Sequence, residues 1–250
     1  MLGKHAKLER TAIGFAIAIM VVASIGGFIE IAPLFTIDET VEDAPDMRVY
    51  TPLELAGRNI YVREGCYACH SQMIRTLQDE VERYGPYSLA VESKYDHPML
   101  WGSKRTGPDL ARIGGKYSDK WHVDHLMDPR AVSPLSVMPA YRWLARNELV
   151  IDDLPLHLRA LRRVGVPYTD EMIENADQDA YGQANPNSDA VDAFFARYGN
   201  ESNSRFFDGD QRRLTEMDAL VAYLQILGRL TDVADQGVRE QPVTAEGPNL

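Results

Sequence analysis

Two thiols and an imidazole stand together in Cys66-Tyr67-Ala68-Cys69-His70, and these two cysteines are the only ones in 250 residues. The pattern Cys-x-x-Cys-His is the attachment signature of a c-type haem. The chemistry needs each residue where it stands. Two thiols three positions apart add to the two vinyl groups on one porphyrin edge, and the adjacent histidine is held under the iron as proximal ligand. A pattern with three fixed positions is only moderately specific by itself, and two other chemistries share it. A redox Cys-x-x-Cys belongs near a βαβ pattern, and no strand-rich run flanks this one. Half a zinc site would have to borrow its fourth ligand from distant His97, His122, His125 or His157, and none of these shows the usual paired spacing.

These residues must be carried and positioned. Residues 1–10 are short and basic, with Lys4, Lys7 and Arg10 against Glu9. Thr11 to Ile29 follows without a charge. At about 1.5 Å per residue such a helix spans roughly the hydrocarbon core of a bilayer. The positive-inside rule places the N-terminus in the cytoplasm and the rest outside. A cleaved signal peptide would carry a shorter apolar region ending at an A-x-A-like site, and Ala23-Ser24-Ile25 matches that poorly. The segment reads as an uncleaved anchor. Glu30 is a solvated residue at its outer edge, and Pro33 ends or kinks the helix.

The net charge is −11, and the acidic balance persists past the anchor. That argues against nucleic-acid binding and fits either a solvated surface or a partner with a basic face. Thr51-Pro52-Leu53-Glu54 is a capping box with proline at the first helical position. Leu53, Ala56 and Ile60 give helical spacing, and Gly65 closes the helix just before the thiols. Near the other end Thr215 caps a helix with Asp218 three residues later, an apolar stripe runs through Leu220, Val221, Leu224 and Leu227, and Gly228 stops it. Between these lie two stretches, 169–182 and 188–198, that read as surface helices capped by Thr169 and Ser188. No catalytic constellation is visible there.

A short helix leading into Cys-x-x-Cys-His resembles the start of a class I c-type cytochrome, over residues 52–70. Gly107-Pro108-Asp109-Leu110 resembles the Gly-Pro-x-Leu segment of that fold. There the proline carbonyl accepts the proximal histidine's ring N–H, which orients the ring and raises its basicity. Ser136-Val137-Met138-Pro139-Ala140-Tyr141 resembles its distal methionine loop. The resemblance therefore implies His70 and Met138 as axial iron ligands, Cys66 and Cys69 as the covalent haem anchors, and Pro108 behind His70. Met73, Met99, Met127, Met172 and Met217 lack the proline-bearing loop, and a lone methionine is ordinarily core filler. The final helix resembles the C-terminal helix of the same fold, which crosses the first closely; Ala56 and Gly57 are small enough to permit that.

Longer segments resemble one family. They include Gly65 to Arg75, Glu80-Val81-Glu82-Arg83-Tyr84-Gly85, Tyr95-Asp96-His97-Pro98, Trp101 to Arg112 and Gly114 to Asp119. Together they resemble the mono-haem subunit, subunit II, of the C-family haem–copper oxidases, the cbb3-type cytochrome c oxidases. The match covers the anchor, nearly all of residues 51–145 and the last helix; residues 150–212 carry none of it. The resemblance implies an all-α chain: a single N-terminal transmembrane helix plus a class I c-type cytochrome domain with an extra helical insertion. The expected division is a cytoplasmic tail 1–10, an anchor 11–35, a linker 36–50, a cytochrome domain 51–230 with an insertion at about 146–212, and a flexible tail 231–250.

The implied cofactor is one covalently bound haem c. The implied partners are a catalytic haem b–copper subunit, a di-haem c subunit and a soluble cytochrome c donor. The implied location is the bacterial inner membrane, with the haem domain in the periplasm. Arg75, Lys104 and Arg105 flank the haem segments and are candidates for propionate contacts, with an ordinary solvated surface as the alternative. His97, His122 and His125 take packing as their default role, as do Trp121 and Trp143. Competing readings are the mono-haem subunit of a nitric oxide reductase, a free membrane-anchored cytochrome, and a non-haem thiol enzyme.

Overall fold

The computed structural model describes residues 5, 6, 9–35, 47–102 and 104–231. Most of the expected linker and nearly all of the expected C-terminal tail lie outside the described residues. The chain divides into two units, residues 1–43 and 44–250.

The first unit is built on helix α1, Ala12–Ile31. Its mean hydropathy over the best window is 2.4, and none of its residues is buried by the protein itself. Its 20 residues rise about 30 Å, the length of a bilayer-spanning helix. Pro33 falls in a 3₁₀ turn, Ala32–Phe35, where the α-helical ladder stops.

The second unit is α-helical, without strands among its described residues; its single ladder contact is an isolated bridge between Glu148 and Thr215. Helix α2, Pro52–Arg63, begins at the full capping box, in which Thr51 and Glu54 each take the other's backbone N–H. Helix α3 is Gln78–Tyr84, α4 is Asp119–Met127, and a single turn, α5, is Pro129–Val132. Helices α6 (Leu154–Arg163), α7 (Asp170–Glu174), α8 (Ala176–Ala184) and α9 (Val191–Tyr198) form the insertion. Helix α10, Glu216–Ile226, closes the domain behind a second capping box at Thr215 and Asp218.

The core is organised where α2 crosses α10. A Cβ at Gly57 would stand 1.9 Å from the Ala219 carbonyl oxygen. Only glycine lets the two backbones approach this closely. Tyr223 packs beside the crossing, with its ring 5.6 Å from that of Tyr61 and 6.0 Å from that of Tyr50. The core begins before the cap: Val49 and Tyr50 are buried, and Arg48 grips the Glu54 carboxylate at 2.7 and 2.8 Å.

The insertion differs from its expected form. Helix α8 is not a surface helix: Ala176, Ala180, Gln183 and Ala184 are buried. Gln183 donates to Glu54 at 3.2 Å and accepts from the Thr51 hydroxyl, so it sits on the cap of α2. Thr169 caps α7 as expected, but Ser188 does not cap α9; Ala190 stands at the N-cap position of that helix, and Ser188 belongs to the preceding turn. Helix α6, absent from the expectation, buries Leu154 and Leu158. The insertion is thus part of the core and not an addition to its surface.

Candidate haem site

Three segments build the candidate site; two of them meet at His70, and the third is the methionine loop. The first is the turn after α2. Gly65 takes the left-handed conformation, φ 72°, which turns the chain out of the helix. Cys66–Ala68 makes one 3₁₀ turn, and the His70 amide closes it by donating to the Cys66 carbonyl at 2.9 Å. Both thiols are free; Cys66 packs partly against the core and Cys69 is exposed. Burial pushes the Cys66 thiol up to about 12. A thiol enzyme needs the opposite shift, toward thiolate at neutral pH.

The second segment is the strap 107–110. Gly107 donates to the Cys69 carbonyl at 2.9 Å and Leu110 to the Ser71 carbonyl at 2.8 Å. These bonds lay the strap along the haem-motif turn. They bring the Pro108 carbonyl 2.8 Å from His70 Nδ1. A Cβ on Gly107 would fall 2.3 Å from His70 Cε1, so the ring lies directly on that glycine. Asp109 is buried beneath the strap, its carboxylate accepting from Ala111 N at 2.8 Å, Met73 N at 3.1 Å and the Ser71 hydroxyl.

The strap is locked by a charge cluster. Arg105 donates to the Ser71 hydroxyl at 2.7 Å, the Met73 carbonyl at 2.9 Å, Glu80 at 2.7 Å and Asp109 at 3.3 Å. Arg75 pairs with the same Glu80 through its side chain and its backbone amide. The Arg105 guanidinium, then that of Arg75, hold the Glu80 carboxyl well below the usual carboxylate range. Two of the sequence candidates for propionate contact are therefore engaged with protein carboxylates, and the third, Lys104, is exposed.

The third segment is the methionine loop. Met138 is half-buried against the core, and its amide donates to the Ser136 hydroxyl at 3.2 Å. The loop is pinned to the end of α4: Tyr141 N donates to the Leu126 carbonyl at 2.7 Å, and Arg142 Nε to the Met127 carbonyl at 2.9 Å. Tyr141 also lies near the thiols; burial first, then the Cys66 sulfur, push its phenol up.

Of the flanking aromatics, Trp101 donates to the Ser93 hydroxyl at 3.0 Å, Tyr95 packs on the core and His97 is exposed. Among the described residues no three of His, Cys, Asp or Glu cluster as ion ligands, so the half-zinc-site reading finds no partners. The donor set fits a haem: two free thiols three apart, an imidazole with its Nδ1 already directed at a carbonyl, and a half-buried thioether.

The sequence reading missed the carboxylates that lock the strap, and it missed what α4 contributes. Ser118 caps α4, and burial pushes its His122 down to about 4, so that ring is neutral at physiological pH. Spacing carried a signal for the rest: Tyr117, Trp121 and His125 recur at intervals of four, which puts them on one helix face.

The chain is all-α among its described residues, with one N-terminal helix long and apolar enough to cross a membrane and a helical domain whose thiols, imidazole and thioether fit a haem. The chain belongs to the family described as cytochrome C oxidase, mono-heme subunit/FixO, whose model matches residues 5–231. The match includes the insertion, where the sequence segments gave no resemblance. It is a subunit of a cytochrome c oxidase, a mono-haem protein with partner subunits. A search of curated proteins found no match.

Proposed function

We propose that this chain is the tethered electron carrier of a cbb3-type terminal oxidase. Cys66 and Cys69 hold one haem covalently as thioethers. His70 ligates the iron through Nε2 while its Nδ1–H is donated to the Pro108 carbonyl, which fixes the ring and raises its basicity. Met138 supplies the sixth ligand from the loop pinned to α4. The haem, when bound, supplies one-electron chemistry; His/Met ligation leaves no open iron position for a substrate. Of the three residues considered for the propionates, Lys104 is exposed, whereas Arg75 and Arg105 are taken up by Glu80 and Asp109.

The carrier takes electrons from the di-haem subunit or a soluble cytochrome c. It passes them to haem b of the catalytic subunit, where oxygen is reduced with proton pumping. Helix α1 crosses the bacterial inner membrane with its N-terminus in the cytoplasm, and the haem domain lies in the periplasm. Tethering raises the effective concentration of the haem domain at its partner.

The observation that carries this reading is the 2.8 Å approach of His70 Nδ1 to the Pro108 carbonyl. It orients an imidazole next to two free thiols. The test is a gentle detergent purification through a tag on this chain, with reduced-minus-oxidised spectrum and metal content measured together. Haem c with haem b and copper is expected. Haem b with non-haem iron and no copper would mean a nitric oxide reductase, and haem c alone a free carrier. Met138→His should keep the haem and lower its reduction potential; an unchanged potential would remove Met138 as ligand.

A further inference from the structure

The Pro108 carbonyl that faces His70 belongs to a peptide unit with few backbone ties. Gly107 N and Leu110 N bond the Cys69 and Ser71 carbonyls on either side of it, at 2.9 and 2.8 Å. Between those two bonds Pro108 has no N–H to give. The Asp109 amide makes no backbone hydrogen bond among the described residues. The peptide joining Pro108 to Asp109 can therefore swing about its flanking torsions unless a side chain stops it.

The Asp109 side chain stops it. Its fully buried carboxylate accepts from Ala111 N at 2.8 Å on its own segment. Across the strap it accepts from Met73 N at 3.1 Å and from the Ser71 hydroxyl. That hydroxyl has one proton, and its direction is set: the oxygen accepts from Arg105 Nε at 2.7 Å, so the proton goes to Asp109. These bonds close a ring. It runs from the His70 imidazole to the Pro108 carbonyl, along the chain to Asp109, through the carboxylate to the Ser71 hydroxyl, and back along the chain to His70. A carbonyl can only accept, so the 2.8 Å contact puts the proton on His70 Nδ1 and, in the neutral ring, leaves Nε2 bare. A carboxylate that orients this carbonyl thereby sets the tautomer and the basicity of the imidazole.

We propose that Ser71 and Asp109 are positioning residues for the iron ligand: by closing this ring they hold His70 in its Nδ1–H form, keep Nε2 free for the iron, and lower the reduction potential. The sign follows from the bond. A donated Nδ1–H pushes electron density onto Nε2, which favours ferric iron. The inference rests on the haem reading above, and the two fail differently. A wild-type chain without covalent haem on a denaturing gel would refute that reading, whereas covalent haem with a His70 indifferent to Ser71 would refute this inference alone.

The full-length holo-chain, labelled with nitrogen-15 at histidine, is measured in the ferrous state as wild type, Ser71→Ala, Ser71→Thr and Asp109→Asn, together with the midpoint potential of each. Wild-type His70 should carry its proton on Nδ1 and exchange it slowly. Ser71→Ala opens the ring at one bond. Exchange at Nδ1 should become about tenfold faster, the scale of one hydrogen bond to a charged group, and the potential should rise. Ser71→Thr keeps the hydroxyl and should return both readouts toward wild type. Asp109→Asn has one accepting oxygen where the carboxylate uses two, so it should move both in the Ser71→Ala direction. Because the two residues share one path, the double variant should fall short of the sum. A part in packing alone gives a different result: Ser71→Ala with a lower unfolding midpoint but unchanged His70 exchange and potential. That result would overturn the proposal. If Asp109→Asn fails to fold, the Ser71 pair and the wild type still decide, and a bare or fast-exchanging Nδ1 in the wild type would overturn the proposal by itself.

Discussion

The strap around His70 and the insertion at 146–212 reach order by different means. The strap works through backbone: two amide bonds, one carbonyl and a glycine that a histidine ring lies upon. The insertion works through side chains that meet distant partners. Arg197 forks onto the fully buried Asp179, with Nε 2.9 Å from Oδ2. Gln183 reaches Glu54 across 129 positions of chain. Backbone devices are set by residue types at short spacing, whereas side-chain pairs of this kind exist only once the fold has assembled them. The strap should therefore fail locally, at the ligand, and the insertion globally, in stability.

The largest effect expected belongs to the strap side. A Cys66→Ala, Cys69→Ala double variant should lose covalent haem entirely while the helical domain still folds. Persistence of a haem-stained band on a denaturing gel would overturn the attachment. In the insertion, Arg197→Ala should cost about 3–5 kcal/mol, because it leaves Asp179 buried without its cation. Chemical denaturation measures this, and haem spectra at low denaturant should be unchanged. A stability loss under about 1 kcal/mol would mean that Asp179 finds water or another donor and that the insertion is less integral than its burial implies. Gly107→Ala should act the opposite way, with a modest stability change but a displaced His70, since the added carbon meets Cε1 at 2.3 Å. Its reduction potential and ligand-field spectrum should move well beyond those of Arg197→Ala. Equal spectra for the two would erase the distinction between the regions.

Legibility followed the same division. The capping boxes at Thr51 and Thr215, the crossing glycine at position 57 and the turn at Gly65 were readable because each is decided within a few residues. In the site, Cys66, Cys69, His70, Pro108 and Met138 stood out as motif text. The ion-pair partners did not, because Glu80 lies 25 positions from Arg105 and reads locally as one acid on an exposed helix. Helix α8 reads as surface from sequence because its polar residues, Asp179 and Gln183, look solvated until Arg197 and Glu54 are placed against them. The expected cap at Ser188 failed for a related reason. A serine before a helical run is a good cap only if the chain enters the helix there, and here the intervening turn delays entry to Ala190.

The smallest effect is the most diagnostic of how the strap is locked. Glu80 has its folded-state pKa depressed by Arg105 and Arg75, while in the unfolded chain it titrates near 4.3. The folded state then binds fewer protons than the unfolded one as pH falls through about 4.3. The contribution of Glu80 is fully present above the unfolded pKa and is lost progressively below it. Glu80→Gln should therefore lower stability slightly at neutral pH and flatten the acid limb of the stability curve below about pH 5. Arg105 would keep the Ser71 and Met73 bonds that hold the strap, so the reduction potential should move little. A variant with the wild-type acid limb would show that the cluster contributes nothing to folding. A large shift in potential would show instead that the Glu80 charge reaches the iron, and that the lock is part of the electron carrier's tuning.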